Sequence, residues 1–214
     1  NKMGIMGDVV FQAADRAGLN ITLNASKPWK RILFDLGNGN LDIVAGVLKT
    51  QQRQKQFFYS SAIHYAELKI FVRKGFSFPY QQISDLVGRR GGKLRGMSLG
   101  QVADDYAFDN LVIDDVPNVY SLLLMLANGR LDYGIFYGLT GQQEINKNTL
   151  STIIDILPKA VTKEGLHIAY SKQSPCQQEI NQLNNEIQTM QADGSIERII
   201  QSYHSIELSS GRNK

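Results

Sequence analysis

Cysteine is nearly absent from this sequence, which has only Cys176 among its 214 residues. A single cysteine cannot form an internal disulfide, and no other residue accompanies it at the spacing of a metal site. Long apolar runs are absent too, since none approaches the roughly 20 residues that a bilayer-spanning helix needs. The sequence therefore excludes a disulfide-held scaffold and a membrane-spanning helix.

An excess of charge of one sign is also lacking. Lys and Arg total 23 against 20 Asp and Glu, and the formal net charge of +3 is spread along the chain. The one short basic cluster contains Arg89, Arg90, Lys93 and Arg95, which we interpret as solvated charge at the start of a strand; a phosphate patch is the alternative. This charge balance predicts no nucleic-acid partner.

Catalytic motifs are missing as well. The three histidines lie in unrelated contexts, and no Gly-x-Ser-x-Gly elbow occurs. The string Gly-Arg-Arg-Gly-Gly at 88–92 lacks the Gly-Lys-Ser/Thr ending of a phosphate-binding loop. No His, Cys and Asp cluster has the spacing of a metal site. We therefore predict a protein that is not an enzyme and that uses no metal and no cofactor.

The chain opens abruptly with Asn-Lys-Met-Gly and no strand precedes its first helical segment. No signal peptide is visible. We therefore expect a processed or incomplete N-terminus that lacks an opening strand.

Helical and strand periods alternate along the chain, which is typical of an α/β protein. The spacing predicts a helix over 8–17 and a short strand over 21–23. A buried strand is expected over 41–45, broken by Gly46, and Thr50 is the expected N-cap of a short helix.

A second set with the same pattern follows. Ser98 is the expected N-cap of a helix that runs to about residue 108, and Asn118 that of a strongly apolar helix. Residues 150–156 and 165–171 are predicted as two separate extended segments. A long amphipathic helical stretch over 177–203, broken near 193–194, has no following strand and must pack on an earlier unit.

Several strings, in this order, resemble the bacterial extracellular solute-binding proteins of the polar amino acid type. They cover most of the chain, and each has the spacing that the family shows. The strings are the glycine-bounded helix of 4–18; Pro28-Trp29-Lys30-Arg31-Ile32-Leu33 with Leu36, Gly39, Asn40, Leu41 and Asp42; Gly46, Thr50, Arg53 and Tyr59-Ser60, which match Gly, Thr-x-x-Arg and Phe-Ser; Leu126-Ala127-Asn128-Gly129-Arg130-Leu131-Asp132; and Gln191-Ala192-Asp193-Gly194-Ser195 with Ile196 and Ile199.

The resemblance implies a periplasmic-binding-protein type 2 fold of family 3. Such a fold has two α/β lobes joined by two hinge crossovers, with the ligand in a cleft between them. The first lobe would comprise 1–71 plus 167–214, with its first strand missing, and the second 72–166. The resemblance further implies a secreted, monomeric protein that binds a small molecule in the periplasm or another extracytoplasmic space.

By the same resemblance, Arg53 is the residue that would bind the carboxylate of the ligand. A planar guanidinium supplies the bidentate pair, which lysine does not. Trp29 would lie at the start of a helix that faces the ligand, or else anchor a core. Gly46 would allow close approach of the backbone to the ligand, or else only break its strand.

In the second lobe, Gly96-Met97-Ser98 resembles a turn in which a hydroxyl and free helix amides bind an anionic group. Met97 and Ser98 are therefore candidate ligand contacts. Two positions depart from amino acid binders: Leu48 replaces a hydroxyl residue, and Tyr137 replaces the acid that pairs with an α-ammonium. These departures favour an anionic solute over a standard amino acid.

The partner is expected to be the permease of an ABC transporter. The same lobes would equally serve as the ligand-sensing domain of a membrane kinase or cyclase, and this alternative stays open. A dehydratase on the same scaffold is a further alternative. The missing flanks of the sequence would discriminate transport from sensing.

Overall fold

The computed structural model describes residues 3–23 and 27–210, with side chains up to residue 203. Helices and strands are interspersed along the chain, as is typical of an α/β protein. A short 3-10 helix spans Ile83–Leu86. The elements are α1 Ile5–Arg16, α2 Trp29–Gly37, β1 Ile43–Leu48, α3 Gln51–Gln54, β2 Phe57–Tyr59, β3 His64–Arg73, β4 Arg90–Leu94, α4 Gln101–Asn110, β5 Val112–Val116, α5 Val119–Ala127, β6 Tyr133–Tyr137, α6 Gly138–Lys147, β7 Ile154–Ser171, α7 Gln177–Ala192 and α8 Ser195–Ser210.

The chain divides into two compact units. Unit 1 comprises Asn1–Lys27, Ile32–His64 and Gly165–Lys214, and unit 2 comprises Pro28–Arg31 and Tyr65–Glu164. Strands β3 and β7 run through these limits, so both strands belong to both units. The lobe limits expected from the sequence, 1–71 plus 167–214 and 72–166, stay a prediction.

The strand order is β1-β7-β3-β6-β4-β5, with β2 also paired to β7. In unit 1, β1 and β2 are antiparallel to β7. In unit 2, β3 is antiparallel to β6, and β4 is parallel to β5 and β6. The mixture of parallel and antiparallel pairs with flanking helices is the α/β class that the sequence predicts.

The core of unit 1 forms where the first helix meets the last ones. Helix α1 has apolar residues at helical spacing, so one face of it is buried while the other carries charge. That face packs with apolar residues of α7 and α8, which confirms that the terminal helical stretch packs on an earlier unit. The buried cluster contains Val9, Val10, Ala13, Ala14, Ile63, Ile168, Tyr170, Ile180, Leu183, Ile187, Met190 and Ile196.

The break between α7 and α8 falls at Asp193–Gly194, as the sequence predicts. Gly194 has a φ of +73°, a conformation that glycine adopts without strain. The Asp193 carboxylate accepts a hydrogen bond of 2.8 Å from Arg16 Nη1 and one of 2.8 Å from the Ser195 amide. These bonds tie the break to the end of α1.

The core of unit 2 is close-packed. Its strand β4 has glycine at the positions where neighbouring side chains lie against the backbone. A Cβ added at Gly92 would lie 2.6 Å from Leu131 Cδ1 and 2.8 Å from Leu122 Cδ1. A Cβ added at Gly91 would lie 2.3 Å from Cζ of the fully buried Tyr133. Side chains on β4 would therefore displace α5 or the Tyr133 ring.

Two sequence expectations about strands were wrong. Residues 21–23 form no strand. The segments predicted separately over 150–156 and 165–171 belong largely to one continuous strand, the 18-residue β7. The sequence does not predict the middle of this strand, because residues 158–165 lack the apolar alternation that identifies a strand.

Candidate functional site

Arg53 lies on the short helix α3, directly after strand β1. Thr50 is the N-cap of α3, and its Oγ1 accepts a hydrogen bond of 3.3 Å from the Arg53 amide, which confirms the predicted cap. The Arg53 side chain turns back to β1, where Nη1 donates to the Leu48 carbonyl at 3.0 Å. The guanidinium is therefore held at the end of β1 and is partly buried.

Leu48 is the last residue of β1, and its predicted place in the ligand site stays a prediction. Its side chain is only 2% exposed. Its contribution to the Arg53 region is its carbonyl oxygen, which any residue would supply. The absence of a side-chain hydroxyl at this position, noted from the sequence, therefore leaves the anchoring of Arg53 intact.

The sequence predicts that Gly46 ends β1. In the structure Gly46 lies within this strand. The register shifts between Ala45, which pairs with Ile168, and Val47, which pairs with His167, so Gly46 forms a β-bulge. Its φ of +82° explains the choice of glycine. The bulge lets β1 continue to Leu48. It therefore helps to determine where α3 begins and where Arg53 lies.

Tyr59, which in the sequence belongs only to a string that resembles the family, is the last residue of β2. Its ring contacts Phe57 and His167 edge to face, with centroids 6.4 and 5.8 Å apart. Burial raises the pKa of its hydroxyl to about 12, while the nearby charge of Arg53 acts in the opposite direction. Tyr59 is therefore a neutral phenol next to the predicted ligand-binding arginine.

Trp29 is the first residue of α2 and is partly buried. It belongs to the segment Pro28–Arg31, which is part of unit 2. A Cβ added at Gly96, which has a φ of +81°, would lie 3.1 Å from Cβ of the adjacent Lys30. Unit 2 therefore brings the segment that carries Trp29 against the turn of Gly96-Met97-Ser98.

Ser98 does not cap α4, contrary to the sequence prediction. The N-cap is Gly100, because the helix begins only at Gln101. The Ser98 hydroxyl instead donates to the Asp104 carboxylate and accepts a hydrogen bond of 3.1 Å from the Gly100 amide. Asp104 also accepts from the Leu99 amide at 2.8 Å. The start of α4 thus binds a carboxylate of its own chain.

A second carboxylate, Glu164 of β7, lies beside this turn. A Cβ added at Gly100 would be 2.1 Å from Glu164 Oε1, so the Glu164 side chain covers this glycine. Burial raises the pKa of Glu164, and the charge of Asp104 raises it further. Sequence reasoning missed both carboxylates, since only the folded chain brings Glu164 to α4.

Met97 and Tyr137 occupy different parts of unit 2. Met97 is 6% exposed, and its amide donates to the Leu94 carbonyl at 2.9 Å. Tyr137 is the last residue of β6, and its ring lies edge to face with Phe136 at 5.4 Å. Neither Met97 nor Tyr137 carries a charge. The Met97 carbonyl accepts a hydrogen bond of 3.2 Å from Lys93 Nζ, so a cation lies at this turn together with Asp104 and Glu164.

Within the described part of the chain, no group of His, Cys, Asp or Glu side chains has the arrangement of a metal site. Over the same residues, no helix combines the length and the apolar character that crossing a membrane requires.

The two α/β units joined by β3 and β7, with an anchored arginine after a bulged strand, define a two-lobed periplasmic-binding-protein fold of the solute-binding class. The chain belongs to the bacterial extracellular solute-binding proteins, family 3, whose family model matches residues 2–206. The fold class and family expected from the sequence are thereby confirmed. No curated protein matches the chain in sequence.

Solved structures share this fold at low sequence identity. A mutant of ArgBP from T. maritima is similar with a TM-score of 0.79 and 21% identity, over 96% of this chain and 86% of that one. A histidine kinase sensor domain with similarity to periplasmic binding proteins has a TM-score of 0.78 and 19% identity, over 93% and 85%. The GluR0 ligand-binding core in complex with L-glutamate has a TM-score of 0.77 and 15% identity, over 94% and 89%.

Proposed function

We propose that this protein works outside the cytoplasm, where it binds a small polar solute that carries a carboxylate. It then delivers this solute to a membrane transporter. The ligand would occupy the interlobe cleft that the family fold implies, and the protein would act as a monomer without catalysis. The observation that carries the proposal is Arg53, anchored on the Leu48 carbonyl at 3.0 Å.

The anchoring of Arg53 supports this role physically. A guanidinium offers N–H donors in a planar fork that matches both oxygens of a carboxylate. The bond to the Leu48 carbonyl and the start of α3 at Thr50 restrict the side chain before a ligand arrives. Preorganisation of this kind reduces the entropy that binding costs.

The turn of unit 2 supports a ligand with no second anionic group near Ser98. Asp104 already accepts hydrogen bonds from the Ser98 hydroxyl and the Leu99 amide. A second negative group would face the charge of Asp104 and, once ionised, that of Glu164. Trp29 and Tyr137, both partly apolar, would then contact the uncharged body of the ligand.

A sensing role is the second candidate, and the similarity to a histidine kinase sensor domain favours it. Sensing and transport would use the same binding chemistry. The full-length gene product distinguishes them: a signal peptide alone supports delivery to a transporter, and a transmembrane helix after Lys214 supports sensing.

The test is calorimetric titration of L-arginine, L-glutamine, L-glutamate and glutarate into the purified protein and into Arg53→Ala. We expect the variant to lose about 1.5–3 kcal/mol of binding free energy, because a charge-assisted pair is removed. Arg53→Lys should recover only part of it, since lysine lacks the planar fork. Gln54→Ala, an exposed change on the same helix, is the matched control and should bind normally.

Unchanged affinity of Arg53→Ala, with normal melting, would remove Arg53 from the site. Failure of the wild-type protein to bind any of the probes would overturn the proposed function itself.

A further inference from the structure

The hydroxyl of Tyr59 is buried and has no hydrogen-bond partner among the residues that the structure describes. A buried polar group without a partner destabilises the folded protein relative to one that is satisfied. Native proteins rarely leave such a group unsatisfied without a reason. The position of Tyr59 therefore calls for an acceptor or donor from outside the described chain.

Tyr59 cannot easily turn its hydroxyl elsewhere. Its backbone pairs with Ala169 of β7, and its ring makes edge-to-face contacts with Phe57 and His167. His167 is itself held, because its Nδ1 lies 2.9 Å from the Ser60 carbonyl. Packing from the sheet side thus fixes the direction of the phenol.

The neighbouring charge determines what kind of group would satisfy this hydroxyl. Arg53 is close enough to influence the Tyr59 pKa, but a guanidinium has no acceptor atom and cannot take the phenol proton. With a pKa of about 12, the hydroxyl keeps its proton at neutral pH and is a donor. A donor beside a cation is suited to an anionic acceptor.

We propose that the Tyr59 hydroxyl donates a hydrogen bond to the same carboxylate that Arg53 binds, which makes Tyr59 a specificity-determining residue. This inference rests on the proposed function. The carboxylate accepts hydrogen bonds from the buried hydroxyl and from the guanidinium at once. The free protein therefore keeps an unsatisfied group that the bound protein does not.

The test is Tyr59→Phe, which removes the hydroxyl and keeps the ring. With glutarate, L-glutamate, L-arginine and L-glutamine as probes, we expect affinity for those that bind to fall about 10-fold, the equivalent of about 1.4 kcal/mol. Without ligand, the melting temperature should stay the same or rise, because an unsatisfied buried group is gone.

Tyr170→Phe is the matched control in the same unit. Tyr170 is also buried, but its hydroxyl donates to Asn184 Oδ1 at 3.1 Å. This variant should melt at a lower temperature and bind the probes as the wild type does. The two tyrosines should therefore show opposite patterns of stability and affinity.

The outcomes separate this inference from the proposed function. Binding that depends on Arg53 but is unchanged in Tyr59→Phe would overturn the role of Tyr59 alone. A lower melting temperature of Tyr59→Phe with unchanged affinity would assign the hydroxyl to a structural water and also overturn it. Absence of binding of every probe by the wild-type protein would overturn both proposals.

Discussion

The Ser98 hydroxyl donates to the carboxylate of Asp104, a residue in the first turn of α4, and the amide of Leu99 donates to the same carboxylate at 2.8 Å. The Ser98 hydroxyl and the Leu99 amide thus bind an acidic side chain of the chain itself at the start of α4. Beside this carboxylate, Lys93 Nζ donates to the Met97 carbonyl at 3.2 Å, so the turn of Gly96-Met97-Ser98 has groups of both charges next to it.

Asp104→Ala should destabilise the protein by about 1–3 kcal/mol, because the buried Ser98 hydroxyl and the Leu99 amide lose their charged acceptor. Denaturation in urea, followed by circular dichroism, measures this loss. Asp105→Ala on the same helix is the control and should stay within about 0.5 kcal/mol of wild type, since its carboxylate is exposed. Equal effects of both variants would contradict a structural role specific to Asp104.

Glu164→Gln should raise stability at neutral pH. The pKa of Glu164 is raised in the folded protein by burial and by Asp104, so the ionised form is disfavoured there relative to the unfolded chain. The folded state therefore binds more protons, and stability falls as pH rises through the folded pKa. The gain from Gln should be present above that pKa and should vanish below about pH 4, where Glu164 is protonated in both states.

Urea denaturation of wild type and Glu164→Gln between pH 3 and pH 8 checks this sign. A variant that loses stability at pH 7 would indicate that ionised Glu164 is stabilised by a contact.

Ligands without an α-ammonium should bind better than their amino acid counterparts. Leu48 and Tyr137 are uncharged, and a desolvated ammonium without acceptors is costly. We expect standard amino acids to bind more weakly than about 1 mM. Calorimetry with the matched pairs L-glutamate and glutarate, and L-arginine and desamino-arginine, measures the difference.

Micromolar binding of an amino acid would contradict this expectation. It would direct attention to Asp104 and Glu164 as the acceptors, which Asp104→Ala and Glu164→Gln would then test in the same titration.

Gly91→Ala should destabilise the protein by about 1–3 kcal/mol, because the new methyl group would lie 2.3 Å from Cζ of Tyr133, which has no room to move in the core. Gly37→Ala is the control, since its methyl group would lie 3.7 Å from Phe57 Cε1, an ordinary contact. Thermal melting compares the two. Equal melting temperatures would mean that the Tyr133 ring shifts freely.

Local signals predicted much of the fold. Thr50 and Asn118 were identified as N-caps from residue type and position, and each accepts a hydrogen bond from the amide three residues later. The turn at Asp193–Gly194 and the apolar face of α1 were likewise visible. Such features depend on neighbours within a turn or two of helix, so the sequence contains their causes.

Other features depend on residues far apart in the chain. Helix α6 at Gly138–Lys147 was not predicted, and β7 was divided into two segments, because neither has a clear apolar period. Ser98 was read as a cap because serine before a helical pattern usually is one. The structure moves the helix start to Gln101 and gives its hydroxyl to Asp104.

The family spacing in the sequence predicts Arg53 as a ligand-binding residue, and this role stays a prediction. The order and types of the residues are enough to predict the α/β class, the family and the side chains available for binding. The folded chain alone shows that the Tyr59 hydroxyl is buried near Arg53, with no hydrogen-bond partner among the described residues, and that Glu164 lies on Gly100 beside Asp104. Burial and charge at a site are sums over neighbours that the sequence separates by many residues, so they exist only once the chain has folded.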